Sequence, residues 1–301
     1  NKSFHFLFNN IFSYLMYVDQ NLNNLKPGLY CVATPIGNLG DITLRALEII
    51  KNSDLILCED TRVSKKLLSK YKIHKKLISH HKFNENKNLN FVLKYLENNK
   101  IVSIISDAGT PAISDPGKVL INKCVEKKIN IYSVPGPSAV SAAVSISGFS
   151  DKYLFCGFLP DKKNELNKLF SSLTNINYSI VFFVSPKKIN KNIEVIKNFF
   201  FNRNILICRE ITKFHEEYIR SSVKNLSELS ISTKGEVTIV ISDDNNLKKN
   251  FIKLEESDKK KISNLIKKMT IKNIVNEINK NKKIPKKIIY DYCLKLKNEN
   301  K

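Results

Sequence analysis

From Leu29 to Ser147 the chain alternates short, uninterrupted apolar runs with stretches of helical character, and this alternation restricts the fold more than any other feature. The runs are 29–34 (LYCVAT), 54–58 (DLILC), 101–106 (IVSIIS) and 129–134 (INIYSV), and the helical stretches are 42–51, 61–71, 88–99, 117–127 and 138–147. Strands that are apolar throughout need helices on both faces, so the pattern predicts a mostly parallel sheet. Around 148–160 the punctuation changes and a second unit begins. It carries expected strands at 178–184, 204–209 and 236–242 and helices at 164–173 and 187–200. The predicted fold class is therefore α/β, with two α/β domains and a small basic helical tail. The expected boundaries are an N-terminal extension over 1–26, a first domain over 27–148, a second over 149–245 and a lysine-rich tail over 246–301. Within the extension, residues 1–15 are read as preceding a natural start at Met16. The tail reads as two or three helices, with Pro285 in the first turn of the last one.

Glycine and proline are scarce, nine of each, and ten of the eighteen fall in three loops. These are Pro35, Gly37 and Gly40; Gly109, Pro111, Pro116 and Gly117; and Pro135, Gly136 and Pro137. Each loop directly follows an expected strand. Ligands of open α/β sheets bind at the carboxyl ends of the strands. Glycine there admits a ligand close to the backbone, and proline fixes the loop's shape. Ordinary strand-to-helix turns favour the same residues, but three dense loops on one sheet edge point to a shared site. No GxxxxGK[ST] or GxGxxG follows the first strand, and GxSxG and HExxH are absent, which excludes the common phosphate, dinucleotide and hydrolase signatures. The loops instead present Asp107 and Asp115 with the hydroxyls of Thr34, Thr110, Ser114 and Ser138, a set suited to amide, ribose and amino-acid functions.

SDAGTPAISDPG (106–117), ATPIGNLGDITLRAL (33–47), CEDTR (58–62) and VPGPSAVSAA (134–143) together resemble the 16S rRNA cytidine 2′-O-methyltransferases of the tetrapyrrole methylase superfamily. GFLP (157–160), REITKFHEE (209–217) and Gly235-Glu236 extend the resemblance, which covers roughly 28–242. It implies S-adenosylmethionine held in a cleft between two α/β domains of a homodimer. By position, Pro35, Gly37, Asp107, Ala108, Gly109, Ser138 and Ala139 would line the cofactor. The implied acceptor is a cytidine 2′-hydroxyl in the decoding region of 16S rRNA, met within the 30S subunit. The alternatives are a corrinoid C-methyltransferase on the same fold and a ribosome-binding protein that has lost its activity.

Methyl transfer to oxygen needs orientation, worth about 7–11 kcal/mol, and the removal of one proton. Glu59 and Asp60, at the end of the second apolar run, are the candidates for that proton or for a cofactor ribose hydroxyl. Asp60 equally reads as the cap of the helix starting near Thr61. Arg62 can hold an RNA phosphate bidentately or pair with a carboxylate. In the second unit Arg209, Lys213 and Glu216 are candidates to face RNA, with a surface ion-pair cluster as the plain alternative. One departure stands out: Val184-Ser185-Pro186-Lys187-Lys188 replaces the family's Glu-Ser-Pro-His-Arg, so that loop is assigned no role.

The net charge of +22 suits a polyanion, although lysine and asparagine abundance of this kind also follows from A/T-rich codons. Of the excess, +11 lies in residues 248–301, which hold 17 lysines and no arginine. The tail is expected to add non-specific phosphate affinity. Arginine occurs only five times, at 45, 62, 203, 209 and 220, wherever a planar fork does what an ammonium cannot. The six cysteines are scattered and four lie in apolar runs, which points to a reducing cytoplasm without disulfides or zinc. His80 and His81 are adjacent, with no metal-ligand spacing around them. The apolar stretch Phe4–Tyr17 is too short to span a membrane.

Overall fold

The computed structural model describes residues 25–229, 232–244, 254–266, 268–281, 284 and 286–299. The expectations for residues 1–15, Met16 and Pro285 lie outside the described residues.

The first unit is a five-stranded sheet of β1 (Gly28–Val32), β2 (Leu55–Cys58), β3 (Leu77–Ser79), β4 (Ile101–Ile105) and β5 (Ile131–Val134), ordered β3-β2-β4-β1-β5 with every pairing parallel. Its helices are α1 (Leu44–Asn52), α2 (Thr61–Lys70), α3 (Glu85–Glu97), α4 (Lys118–Glu126) and α5 (Ala139–Ser147). Alternate residues of the strands feed two cores. Tyr30, Val32 and Ile56 pack with Ile49, Ile50 and Leu68 on one face. Leu29, Leu57 and Ile104 pack with Leu93, Leu96 and Leu120 on the other. Polar side chains start three of these helices. Thr43 accepts from Ala46 N, Asp60 from Arg62 N and Ser138 from Ser141 N, and Gly148 ends α5 with φ +70°.

The second unit is a sheet of β6 (Tyr153–Phe158), β7 (Ser179–Val184), β8 (Asn204–Arg209), β9 (Glu217–Ser222) and β10 (Val237–Ile241), ordered β6-β7-β10-β8-β9. Only β6 and β7 run parallel; the other three pairings are antiparallel. Helices α6 (Lys163–Leu173) and α7 (Pro186–Phe200) bury one face around Phe170, Phe182 and Phe200. The other face is covered by α5 from the first unit, whose Val140 and Ala143 pack with Val181, Leu206, Cys208 and Val240. The small side chains of AVSAAVSIS let that helix lie close to the strands, so the joint between the units begins at Ser138, in the third Gly/Pro loop.

The tail forms three helices, α8 (Glu256–Leu265), α9 (Ile271–Asn281) and α10 (Lys286–Glu299), around a separate core of Ile262, Ile274, Ile278, Ile289 and Cys293. Four of the five arginines staple backbone carbonyls. Arg203 donates to Thr174, Ile176 and Ser242, Arg45 to Ser133, Arg209 to His215 and Lys234, and Arg220 to Ile146. The fork is used mainly to hold chain to chain.

Three strands were not expected from the sequence: β3, β6 and β9. All three are sheet edges. An edge strand keeps one side toward solvent and tolerates polar residues and glycine. Gly157 interrupts β6 with φ +71°, and β9 (EYIRSS) alternates between half-buried and exposed positions. The interior strands, buried on both faces, read as apolar runs.

Candidate active site

Because all five strands of the first sheet run the same way, their carboxyl ends gather the Gly/Pro loops on one edge, where backbone hydrogen bonds stitch them together. Thr34 N donates to Gly109 O at 2.9 Å and Gly109 N to Thr34 O at 3.1 Å, joining the first loop to the second. The Thr34 hydroxyl adds a bond to Ser106 O at 2.9 Å. The third loop closes on the second where a Gly109 Cβ would lie 3.7 Å from Pro137 O. The β2 loop joins through Asp60 N, which donates to Asp107 Oδ1 at 3.1 Å. Within 106–117, Ala112 and Ser114 both hold positive φ, 64° and 65°. Such backbone costs of order 1–3 kcal/mol and persists where its surroundings over-determine it.

The second unit supplies the opposite wall. Val237, the first residue of β10, pairs with Val184 at the end of β7 and with Arg209 at the end of β8, so three strand ends meet there. Between this corner and the stitched loops lies a cavity of about 530 Å³. Glu59, Asp107–Thr110, Ile113–Asp115 and Ser138–Val140 line it from the first unit; Phe158, Phe183–Pro186, Cys208, Ile211 and Gly235–Thr238 line it from the second. Its polar wall is acidic. Glu59, Asp107, Asp115 and Glu236 reach the surface of the cavity, and among the described residues no lysine, arginine or histidine does.

Burial and mutual repulsion keep Glu59, Asp107 and Asp115 easy to protonate. Asp115 is pushed up to about 6, first by burial and then by the charge of Glu59, against a hydrogen bond from Ser106. Glu59 is raised by burial and by the neighbouring Asp107. Asp107 is raised by burial too, while the Asp60 N–H pulls it back. A cation entering the cavity would relieve all three. Among the described residues no group of three or more His, Cys, Asp or Glu has the geometry to hold a metal ion.

Of the residues expected to bind cofactor, Asp107, Ala108, Gly109, Ser138 and Ala139 line the cavity, as does the candidate acid–base residue Glu59. Pro35 and Gly37 do not; the residue between them, Ile36, takes that place. Gly37 instead meets the second unit, where an added Cβ would fall 2.4 Å from Lys213 Cγ and 2.8 Å from Thr212 Oγ1. Its missing side chain lets the two units touch. Asp60 caps α2 and binds Arg62 through both oxygens, which draws its carboxyl down to about 2. A residue so held is a cap and ion-pair partner, and the exposed Arg62 guanidinium is occupied by it.

The substrate candidates of the second unit are engaged in their own loop. Lys213 bridges Glu210 and Glu236 at 3.0 and 3.1 Å, Glu216 accepts from Thr212 N, and Arg209 holds the carbonyls of His215 and Lys234. Asp115 was noticed in the sequence only as a carboxylate on the right loop. Phe183, Cys208 and Thr238 went unassigned because each sits in an apolar strand and carries no local signal of a site; Phe158 had one in GFLP, and Val184–Pro186 was given no role because the family's charges are absent there. Gly235, with φ +100° and a would-be Cβ 2.6 Å from the Glu210 carboxyl carbon, had a signal in the GE pair.

A family model for tetrapyrrole (corrin/porphyrin) methylases matches residues 28–227. A protein of Mesomycoplasma conjunctivae named ribosomal RNA small subunit methyltransferase I is 43% identical over 212 residues, 70% of this chain and 89% of its own length. The protein of the same name from Thermotoga maritima is 44% identical over 217 residues, 71% and 97% of the two chains. Among solved structures, the methyltransferase CobJ superposes with a TM-score of 0.56 at 14% identity, covering 72% of this chain and 94% of its own. Diphthine synthase does so with a TM-score of 0.56 at 12% identity, covering 71% and 89%. At such identities the likeness is one of fold. The chain belongs to the tetrapyrrole methylase family, among the ribosomal RNA small subunit methyltransferase I proteins.

Proposed function

We propose that this protein transfers the methyl group of S-adenosylmethionine to the ribose 2′-hydroxyl of a cytidine in the decoding region of 16S rRNA, within the 30S subunit. The observation that carries the reading is the sign of the cavity: among the described residues it is lined by four carboxylates and no basic side chain, in a protein of net charge +22. A nucleoside phosphate would be repelled there, whereas a ligand with sulfonium and ammonium charges, a ribose and an aromatic base fits both the acidic and the apolar wall. Asp107, Asp115 and Glu59 would face the positive charges, Ile36, Phe158, Phe183 and Val184 the base, and the backbone of Ala108–Gly109 and Ser138–Ala139 the polar edges. When bound, S-adenosylmethionine supplies an electrophilic methyl group whose thioether leaves without an acid.

The protein's own work is orientation and one proton. Holding acceptor and methyl in line supplies about 7–11 kcal/mol. Glu59, raised toward neutrality by burial and by Asp107, accepts the hydroxyl proton, a contribution of about 10²–10⁴-fold. The relatives at 43% and 44% identity carry a ribosomal name, whereas CobJ, at 14% identity, is similar in fold, which favours RNA over a corrinoid acceptor. In this reading the protein works as a homodimer in the cytoplasm, and its basic tail adds phosphate contacts. Among the described residues no helix is long and apolar enough to cross a membrane.

The test is to incubate 30S subunits lacking the modification with the protein and S-adenosylmethionine, then map ribose methylation along 16S rRNA. One new 2′-O-methylcytidine is expected, and Glu59→Gln should slow its formation by about 10²–10⁴-fold without abolishing cofactor binding. No change at any 2′-hydroxyl would remove the reading.

A further inference from the structure

The charged residues of 209–216 brace their own loop, and that loop presents an aromatic ring to solvent. Phe214 is 96% exposed, and Phe83, in the loop between β3 and α3, is 93% exposed; among the described residues no other large apolar side chain is as open. Single exposed apolar residues are common, so exposure alone would mean little. Both loops, however, are pinned. The Asn84 side chain accepts from His81 N at 2.7 Å and donates to Ser79 O at 3.1 Å, and Asn88 donates to the same carbonyl at 2.9 Å. The loop of Phe214 is held by the Lys213 bridge, by Glu216 on Thr212 N and by Arg209 on His215 O. The backbones are held with the rings left outside.

Position and chemistry add to this. Ser79, which opens the first loop, donates to Glu59 O at 3.2 Å, and Lys213 in the second bonds Glu236; Glu59 and Glu236 both line the cavity. Phe83 thus lies four residues from the Ser79 that bonds Glu59, and Phe214 adjoins the Lys213 that bonds Glu236, one ring on each of the two units that wall the cleft. Each is set in the same company: His81-Lys82-Phe83 and Lys213-Phe214-His215. The histidine rings meet the phenylalanines edge-on, at 6.1 and 5.1 Å between centroids. An open aromatic face is the usual equipment for stacking a single-stranded base; the exposed Lys82 beside Phe83 can add a phosphate contact, whereas Lys213 is held by Glu210 and Glu236. The acidic cavity repels phosphate, so backbone contacts belong outside it.

We propose that Phe83 and Phe214 are stacking platforms for the nucleotides flanking the target ribose, one on each side of the cleft. The proposal rests on the RNA reading above and names how the strand is held. The chain contains no tryptophan, so Phe83→Trp and Phe214→Trp each install a single fluorescent reporter at the ring in question. Oligocytidine should quench both reporters, and an abasic oligomer of equal length and charge should not. Phe83→Ala and Phe214→Ala should each raise KM for 30S subunits by about 5- to 100-fold, the equivalent of one lost base stack, with kcat and cofactor affinity retained and Tyr or Trp at either position restoring KM. An unchanged KM in the double alanine variant would overturn the proposal, as would equal quenching by the abasic oligomer. A fluorescence change that tracks protein concentration without RNA would also overturn it, assigning the rings to a contact between two copies. Wild-type protein inactive on 30S subunits, with tryptophans still quenched by oligocytidine, would sink the methylation reading and support the platforms.

Discussion

The two sheets build one cavity by different means. The first is all parallel, so every strand ends on the same edge and its loops collect there, carrying Glu59, Asp107 and Asp115 to the same wall. The second is largely antiparallel, so its strand ends alternate between edges, and it contributes separate pieces: the end of β7, the end of β8 and the start of β10. A parallel sheet gathers chemistry by topology alone. A mixed sheet has to be brought to the site by packing, here through α5 against Val181, Leu206 and Val240. The first unit holds three of the four carboxylates among the described lining residues, and the second holds most of the apolar wall.

That division can be broken experimentally. Phe170→Ala removes a fully buried ring packed on Phe182, Phe199 and Phe200, and should cost the protein about 3–5 kcal/mol in denaturant melts. Cofactor binding should weaken with the second sheet even though Glu59, Asp107 and Asp115 lie on the first. Binding that survives unfolding of the second sheet would mean that the first unit holds the ligand alone. A smaller loss, about 1–3 kcal/mol, is expected for Gly235→Ala, whose Cβ would demand φ +100° and displace Glu210. Since Glu210 accepts from Glu236 N and pairs with Lys213, activity should fall further than the melting temperature indicates. A variant with wild-type activity and stability would show that this corner is not fixed by the glycine.

The least disruptive change concerns Asp115. Its carboxyl is held at about 6 by burial and by Glu59, above the ordinary value, so the ligand-free fold prefers it neutral. That stability is present below the ordinary carboxylate range and is lost as pH rises through about 6. A bound cation prefers the ionised form, so cofactor affinity should rise over the same interval. Calorimetric titrations between about pH 5 and pH 7.5 should show that rise, and Asp115→Asn should flatten it. An unchanged pH profile in the variant would move the titrating group to Glu59 or Asp107.

Much of the first unit was legible because β1, β2 and β4 are interior and three of its helices begin with side-chain caps. Asp60 illustrates the boundary. The sequence offered it as acid–base group and as cap, and only the hydrogen bonds from Arg62 N and the Arg62 guanidinium decided for the cap. Gly37 is similar: a glycine in a ligand loop reads as ligand contact, yet the close approach is made by Lys213, 176 positions later in the chain. The Val184–Pro186 wall was passed over because its family-like charges are missing, while its place on the cavity depends on its backbone.

By itself the sequence determined the parallel sheet, the edge on which the loops gather, and the chemical character of the residues in the 106–117 string. Burial on both faces imposes an apolar run, and close backbone approach imposes glycine, so both leave local marks. Tertiary structure decided which of those residues face one another. It assigned Asp60 and Arg62 to each other, turned Arg209, Lys213 and Glu216 into the frame of a loop, and supplied the far wall from strands that carry no local signal. Those outcomes depend on contacts between residues distant in the chain, which hydrophobic periodicity does not record.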